Sequence, residues 1–214
     1  MPGAAAIEAA KEGAMAAPQR TADDTRSLIL ETAERQLRRH GLAKMTVVDI
    51  AQASGMSHAN VYRFFPTKAA IFDAITARWL GATECMVAEI AARPVSAAER
   101  LEACVIELHR LKRRKVEQDP EIFDTYCAIT RGSREVCEQH RARVVGLLES
   151  ILRDGVAAGE FRIADLPAAV AALRHATLKF HEPRLIADSL DEPTEEQARR
   201  VVRLITAGLR AGVV

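Results

Sequence analysis

The sequence predicts an all-α protein in which a small three-helix head precedes a larger helical bundle, with about nine helices in all. Hydrophobic residues make up 49% of the chain and aromatic residues only 4%. Ala, Leu, Ile and Val dominate the apolar share and are accompanied by Glu and Arg, which is a helix-forming mixture. Apolar residues recur at helical spacing between Gly and Pro breaks, and no segment convincingly predicts a strand.

The chain of 214 residues has room for a small domain and a larger one. No run reaches the roughly 18 apolar residues of a membrane span, and Glu8 and Lys11 interrupt the N-terminal segment where a signal peptide would be apolar. We therefore expect a cytoplasmic protein without membrane contact. The predicted division is a disordered arm at 1–22, the head at 23–67 and the bundle at 68–214.

The first head helix is predicted from Ile29, Ala33 and Leu37, which recur every four residues and so share one face. Gly41 follows a cationic last turn and is a typical helix stop. This helix supplies one apolar face to the head.

Two short helices are predicted next, separated by a tight turn. Thr46 and Asp49 have the spacing of a capping box, and Gly55 ends the helix that they open. Ser57 is suited to cap a second helix, which Pro66 must end. Two helices of about two turns joined at a glycine indicate a helix-turn-helix.

Six longer helices are predicted for the bundle, each from a capping residue followed by an apolar stripe. Their predicted starts are Thr67, Ser96, Asp119, Ser133, Asp165 and Thr194.

Charge is distributed unevenly although the net charge is only +1. Residues 20–68 hold eight Lys and Arg against five Asp and Glu, so the positive excess lies in the head, as expected of a nucleic-acid-binding face. A second basic cluster, Lys112 to Lys115, is interpreted as a solvated helix end rather than another such face.

Metal binding and catalysis are both disfavoured. The polar groups expected near the bundle core show no compact ligand spacing such as C-x-x-C, so simple burial is favoured over a metal or cofactor site. These groups are Cys104, His109, Tyr126, Cys127, His175 and His181. The sequence also has no nucleophile elbow, phosphate-binding loop or dinucleotide fingerprint, so we expect no enzyme.

Residues 29–75 strongly resemble the DNA-binding domain of the tetracycline-repressor (TetR) family. The matching features are Gly41, Thr46-Val47, Asp49-Ile50-Ala51, Ala53, Gly55, Ser57, Tyr62, Phe65 and Thr67-Lys68. The resemblance implies a homodimeric transcriptional regulator, in most cases a repressor that a small-molecule effector releases from a double-stranded DNA operator. It also implies dimerisation through the last two long helices, whose apolar stripes exceed one bundle face. Those stripes are Val170, Leu173 and Phe180, then Val201, Leu204, Ile205 and Leu209.

The resemblance places the DNA contacts on the second helix of the motif and at the starts of its neighbours. The expected DNA-binding residues are Thr46, Ser57, His58, Ala59, Tyr62, Arg63, Thr67 and Lys68. Hydroxyl groups and free N–H groups at helix starts bind phosphate, and Arg63 can make a bidentate contact to guanine or bind a phosphate. Gln36 and Phe64 depart from the usual family pattern, and Phe64 is expected to pack or to touch a thymine methyl.

A ligand pocket is expected among the helices that start at Ser96, Asp119 and Ser133, because apolar and hydrogen-bonding residues are mixed there. The expected lining is Cys104, Leu108, His109, Phe123, Tyr126 and Leu147. An ordinary core would look the same at any one of these positions. The alternative function is a helical interaction or sensor protein that does not bind an operator.

Overall fold

The computed structural model describes residues 21–118, 120–188, 191 and 193–213. In these ranges the chain forms nine helices of seven or more residues, one helix of five and no strand, which confirms the predicted fold class. They are α1 (Ala22–Lys44), α2 (Val47–Ser54), α3 (His58–Phe64), α4 (Lys68–Ala91), α5 (Ala97–Gln118), α6 (Pro120–Gly132), α7 (Arg134–Ala157), α8 (Leu166–His181), α9 (Pro183–Ala187) and α10 (Glu195–Ala211). The predicted cap at Asp119 and nearly all of the predicted arm lie outside the described residues.

Local hydrogen bonds set the boundaries of the helix-turn-helix. The backbone N–H of Asp49 donates to Thr46 Oγ1 at 3.2 Å, and the N–H of Thr46 donates to Asp49 Oδ2 at 2.9 Å. The Ser57 side chain likewise accepts from the start of α3, and Gly55 turns the chain with a φ of 68°. These groups satisfy N–H groups that a helix start leaves free. The predicted caps Thr46 and Ser57 are therefore confirmed, whereas Ser133 forms no capping hydrogen bond with its side chain.

The first helix begins slightly earlier than expected. Thr21 and Asp24 form a capping box that the sequence analysis did not identify, so α1 starts at Ala22. The predicted stop at Gly41 is visible as a break in the helical dihedral angles, with a φ of 71°. A glycine reaches this left-handed region without the steric cost that a side chain would bring.

The head has its own hydrophobic core, to which two longer helices contribute. Ile29 of α1 and Val61 of α3 are fully buried in it. Ile71 of α4 joins them, and so does Ile129 of α6, from far along the chain. A buried hydrogen bond of 3.3 Å joins the hydroxyl group of Thr76, on α4, to that of Ser133, which directly precedes α7. Helices α4 and α6 therefore belong to both parts of the protein.

The bundle packs around a second core formed mainly by α4, α5, α7, α8 and α10. Polar contacts tie its helices together at their ends. The Glu160 carboxylate accepts hydrogen bonds from the backbone N–H groups of Ala97 and Ala98 at 2.7 and 3.0 Å, which caps α5. In the part of the chain that is described, no helix is both long and apolar enough to span a membrane.

The basic cluster from Lys112 to Lys115 is not the uniformly solvated helix end that we expected. Arg114 is exposed, but Lys112 is buried. Successive residues of a helix point in different directions, and Lys112 lies four residues after Leu108 and four before Val116, both buried. The apolar stripe of α5 therefore continues through a lysine.

The apolar stripes of α8 and α10 also differ from the prediction. Most of their residues pack inside the same chain and leave no surface for a partner; these are Val170, Leu173, Phe180 and Leu209. Phe180, for example, packs with Val105 and Val202. Val201 and Ile205 are partly buried, and Leu204 stands out because 75% of its surface is exposed.

Candidate DNA-binding face and ligand cavity

The recognition helix α3 has one exposed and one buried side. The expected DNA-facing residues of this segment are all exposed: Ser57, His58, Ala59, Tyr62 and Arg63. Val61 and Phe65 are buried in the head core on the opposite side. The rings of His58 and Tyr62 meet edge to face, with their centroids 4.6 Å apart. The exposed side thus presents hydroxyl, imidazole and guanidinium groups on a firmly packed helix.

The remaining three expected residues lie at the N-termini of α2 and α4. The hydroxyl of Thr46 donates to Asp49 Oδ2, and this hydrogen bond lowers the pKa of the Asp49 carboxyl group. The Thr67 hydroxyl likewise accepts from a backbone N–H, that of Ala70 at 3.0 Å, but donates to no group among the described residues. The Thr67 proton is available to bind a phosphate oxygen, whereas the proton of Thr46 is already engaged. Lys68 follows directly, half-buried over the ring of Phe72.

Arg26 of α1 fixes the end of the recognition helix, a role that the sequence analysis did not predict. Its guanidinium donates to the carbonyl oxygen of Phe64 at 3.3 Å and lies 4.3 Å from the centroid of the Phe65 ring. Phe64 itself packs against the head core and beneath the guanidinium of Arg63. Because cations near a helix C-terminus stabilise its free carbonyls, Arg26 helps to hold α3 in place.

A cavity of about 410 Å³ lies in the bundle between helices α4 to α9. This volume is within the range of about 300–1,000 Å³ that small-molecule sites occupy. Its apolar lining includes Leu80, Leu108, Val144, Leu148 and Leu173. Its polar lining includes Thr83, Lys112, Tyr126, Thr177, His181 and Glu182, with Arg131, Arg141, Arg174 and Arg184.

Three of the six residues expected in a ligand pocket line this cavity, namely Cys104, Leu108 and Tyr126. His109 does not, because its Nδ1–H donates to the carbonyl oxygen of Phe180 at 3.0 Å on another side of α5. Phe123 is buried in a cluster with residues of α4, α5 and α9, and Leu147 packs on the bundle core. We leave these three out of the candidate site.

The structure adds Lys112, Thr83 and His181 to the candidate site. Thr83 and His181 belong to helices other than the three from which a pocket was expected, and Lys112 was set aside as part of a charge run. Helical spacing from Leu108 could have identified Lys112, and His181 was already expected near the bundle core, whereas no local signal marks Thr83. Burial lowers the pKa of His181 to about 4, so its imidazole is neutral near pH 7.

The cysteines give no sign of a reactive or metal-binding site. Burial raises the pKa of Cys104 to about 12 and also raises the pKa values of Cys127 and Cys137, so all three remain thiols near neutral pH. The described residues contain no group of three or more His, Cys, Asp or Glu side chains that could hold a metal ion.

A helix-turn-helix head that shares two helices with a cavity-containing bundle defines a transcriptional regulator. Two family profiles match the chain. Residues 29–75 match the bacterial regulatory proteins of the tetR family, and residues 97–202 match the tetracyclin repressor-like C-terminal domain. The chain belongs to the TetR family.

Solved structures of similar fold support this assignment, whereas no curated protein matched the sequence significantly. A transcriptional regulator from Pseudomonas aeruginosa PAO1 superposes with a TM-score of 0.70 at 19% identity, covering 91% of this chain and 94% of its own. The TetR-family regulator PfmR from Thermus thermophilus gives 0.54 at 26% identity, covering 85% and 98%. FadR from Bacillus subtilis, solved with stearoyl-CoA, gives 0.57 at 16% identity, covering 85% and 98%.

Proposed function

We propose that this regulator is a cytoplasmic repressor that binds a double-stranded DNA operator as a homodimer and is released by a small molecule bound in the cavity. In this proposal residues 23–67 are the DNA-binding domain and residues 68–214 bind the ligand and form the dimer. The complex of FadR with stearoyl-CoA supports the idea that a protein of this fold can bind a small molecule.

The observation that carries the proposal is the position of α6. Ile129 of this helix is buried in the head core, while Tyr126 and Thr130, within one turn of it, line the cavity. A ligand that displaces the cavity wall therefore acts on the packing of the head. A tenfold loss of operator affinity needs a difference of only about 1.4 kcal/mol in ligand binding between the two arrangements.

The DNA contacts in this proposal follow the exposed face described above. Arg63 and Tyr62 would contact base edges or phosphates in the major groove, and Lys68 with the free Thr67 hydroxyl would hold the backbone. Thr46 would contribute through its helix N-terminus, because its hydroxyl proton is bound to Asp49.

Operator binding can be tested with DNA from upstream of the protein's own gene. Lys68→Ala should weaken binding to all sequences and reduce the slope of log affinity against log salt by about 1, because one phosphate contact is lost. Arg63→Ala should cost about 1–3 kcal/mol and relax the preference at particular base pairs. Fluorescence anisotropy and footprinting measure both effects.

Arg153→Ala is the matched control, because Arg153 is an exposed arginine on α7, outside the head and outside the helices proposed for the dimer. It should bind like the parent protein. If Lys68→Ala and Arg63→Ala also leave affinity, salt slope and footprint unchanged, the proposed face is wrong. The alternative of a helical interaction protein without operator binding would then be favoured.

A further inference from the structure

We propose that the cavity selects a small amphipathic carboxylic acid, whose carboxylate pairs with the ammonium group of Lys112. The inference rests on the proposed function in one respect only, which is that the molecule bound here is the effector. The site itself is defined by the surroundings of Lys112.

Lys112 is a buried cation whose ammonium has no hydrogen-bonding or ion-pair partner among the described residues. Only 5% of its surface is exposed, and it lines the cavity on the same face of α5 as Leu108. Among the residues that the structure describes, Lys112 forms no hydrogen bond and no ion pair, although Glu182 lines the same cavity. Its ammonium lies 5.8 Å from the centroid of the Tyr126 ring, which is a weak contact.

Such a group is unfavourable in the empty protein. An ammonium removed from water needs compensating hydrogen bonds or a close opposite charge, and Lys112 has only the longer-range attraction of Glu182. Burial and the nearby Lys115 lower the pKa of Lys112 to about 8 in spite of Glu182, so the side chain is still mostly charged at pH 7. An anion entering the cavity would therefore meet a preformed and only partly compensated positive charge.

The other lining residues indicate what kind of anion fits. Lys112 is the one fully buried cation of the described cavity lining, since Arg131, Arg141 and Arg184 are exposed and Arg174 is half-buried. A single buried charge matches a singly charged head group better than a phosphate ester with several charges. The exposed arginines would attract the anion toward the cavity by long-range electrostatics.

The rest of the ligand must be largely apolar. Leu108, Leu148 and Leu173 line the cavity, and a polar body would leave its own groups unpaired against them. The Thr83 hydroxyl, whose oxygen is buried without a hydrogen-bond partner, supplies one more polar group on the wall. One carboxylate on an apolar body satisfies both kinds of lining.

The test uses the full chain without DNA and two carboxylate probes of different shape, decanoate and phenylacetate, each compared with its alcohol, decanol or phenylethanol. Calorimetry measures affinity. Trp79, the only tryptophan, gives a second signal because its ring centroid is 5.5 Å from that of Tyr126 in the cavity wall. The variants are Lys112→Met and, as a matched control, Lys115→Met, which removes the same charge about one turn further along α5. Lys115 does not itself line the cavity, although its ammonium lies 5.3 Å from the centroid of the Tyr126 ring.

We expect at least one carboxylate to bind about tenfold or more tightly than its alcohol, because a charge-assisted hydrogen bond is formed. Lys112→Met should abolish this preference while keeping alcohol binding, and Lys115→Met should keep it. The proposal is overturned if neither carboxylate is preferred, or if Lys112→Met retains the preference. Displacement of the bound carboxylate by inorganic phosphate would overturn the assignment of a carboxylate site.

Operator release is then measured separately by anisotropy. Carboxylate binding through Lys112 without release of the operator would refute the coupling in the proposed function and leave the anion site standing. Operator binding by a chain that does not prefer carboxylates would refute the anion site and leave the repressor function standing.

Discussion

Replacing Lys112 with Met should stabilise the empty protein. Burial lowers the pKa of this side chain from 10.5 to about 8, and that displacement corresponds to about 3 kcal/mol against the folded state at pH 7. Met is of similar length and packs well among apolar side chains, so the substitution should remove part of this penalty without leaving a void in the packing. We expect the free energy of unfolding to rise by about 2 kcal/mol at pH 7.

The pH dependence separates this explanation from better packing. The folded protein releases the Lys112 proton near pH 8 and the unfolded chain near pH 10.5, so between these values the unfolded state binds more protons. The penalty that Lys112 imposes on the wild-type protein therefore falls as the pH rises. The difference in free energy of unfolding between Lys112→Met and the wild type should shrink by about 2 kcal/mol between about pH 7 and pH 9.5.

Urea unfolding of both proteins at equal concentration and at both pH values measures the difference. Lys179→Met serves as a control, because Lys179 is exposed on α8 and its replacement should give no pH-dependent gap. A Lys112→Met variant that is less stable than the parent at pH 7, or a gap that is the same at both pH values, would refute the reasoning.

Two further predictions concern packing and assembly. Gly155→Ala should destabilise the bundle by about 1–3 kcal/mol, because a Cβ there would lie 2.3 Å from Phe161 Cδ2, whereas Gly146→Ala in open space on the same helix should not. Equal melting temperatures for the two variants would contradict this. Leu204→Glu should yield monomers in sedimentation experiments, since Leu204 is 75% exposed on α10, while Val95→Glu between α4 and α5 should stay dimeric. A dimeric Leu204→Glu protein would exclude this face as the interface.

The head was largely predictable because its signals are local. The caps and the turn of the helix-turn-helix depend on residues within about one helical turn, namely Thr46 with Asp49, Gly55 and Ser57. Their spacing in the sequence is therefore enough to predict the contacts. The five expected DNA-facing residues of α3 and its cap came from the resemblance to the TetR family, and all five are exposed. The contact of Arg26 with Phe64 joins positions 38 residues apart, and no local sequence pattern near either residue predicts it.

The cavity was predictable only in part, because it exists where six helices approach one another. Cys104, Leu108 and Tyr126 were found because they lie on the inward stripes of α5 and α6. His109 has a suitable side chain for a ligand site, but it contacts Phe180 outside the cavity. It follows Leu108 directly on α5, and the rotation of one helical residue directs the two side chains to different sides of the helix. Lys112 was misinterpreted because its neighbours in sequence are charged, while its neighbours in space are largely apolar.

The double use of α6 restricts how a protein of this design can change its ligand. Substitutions at Tyr126 or Thr130 alter the cavity within one turn of Ile129 and so risk disturbing the head. Val144 and Leu173, on α7 and α8, line the same cavity but pack on the bundle core instead. New specificities should therefore accumulate on that wall, where mutations can be tried without loss of DNA recognition. If α6 couples ligand to DNA as proposed, its residues are the ones least free to change when the ligand changes.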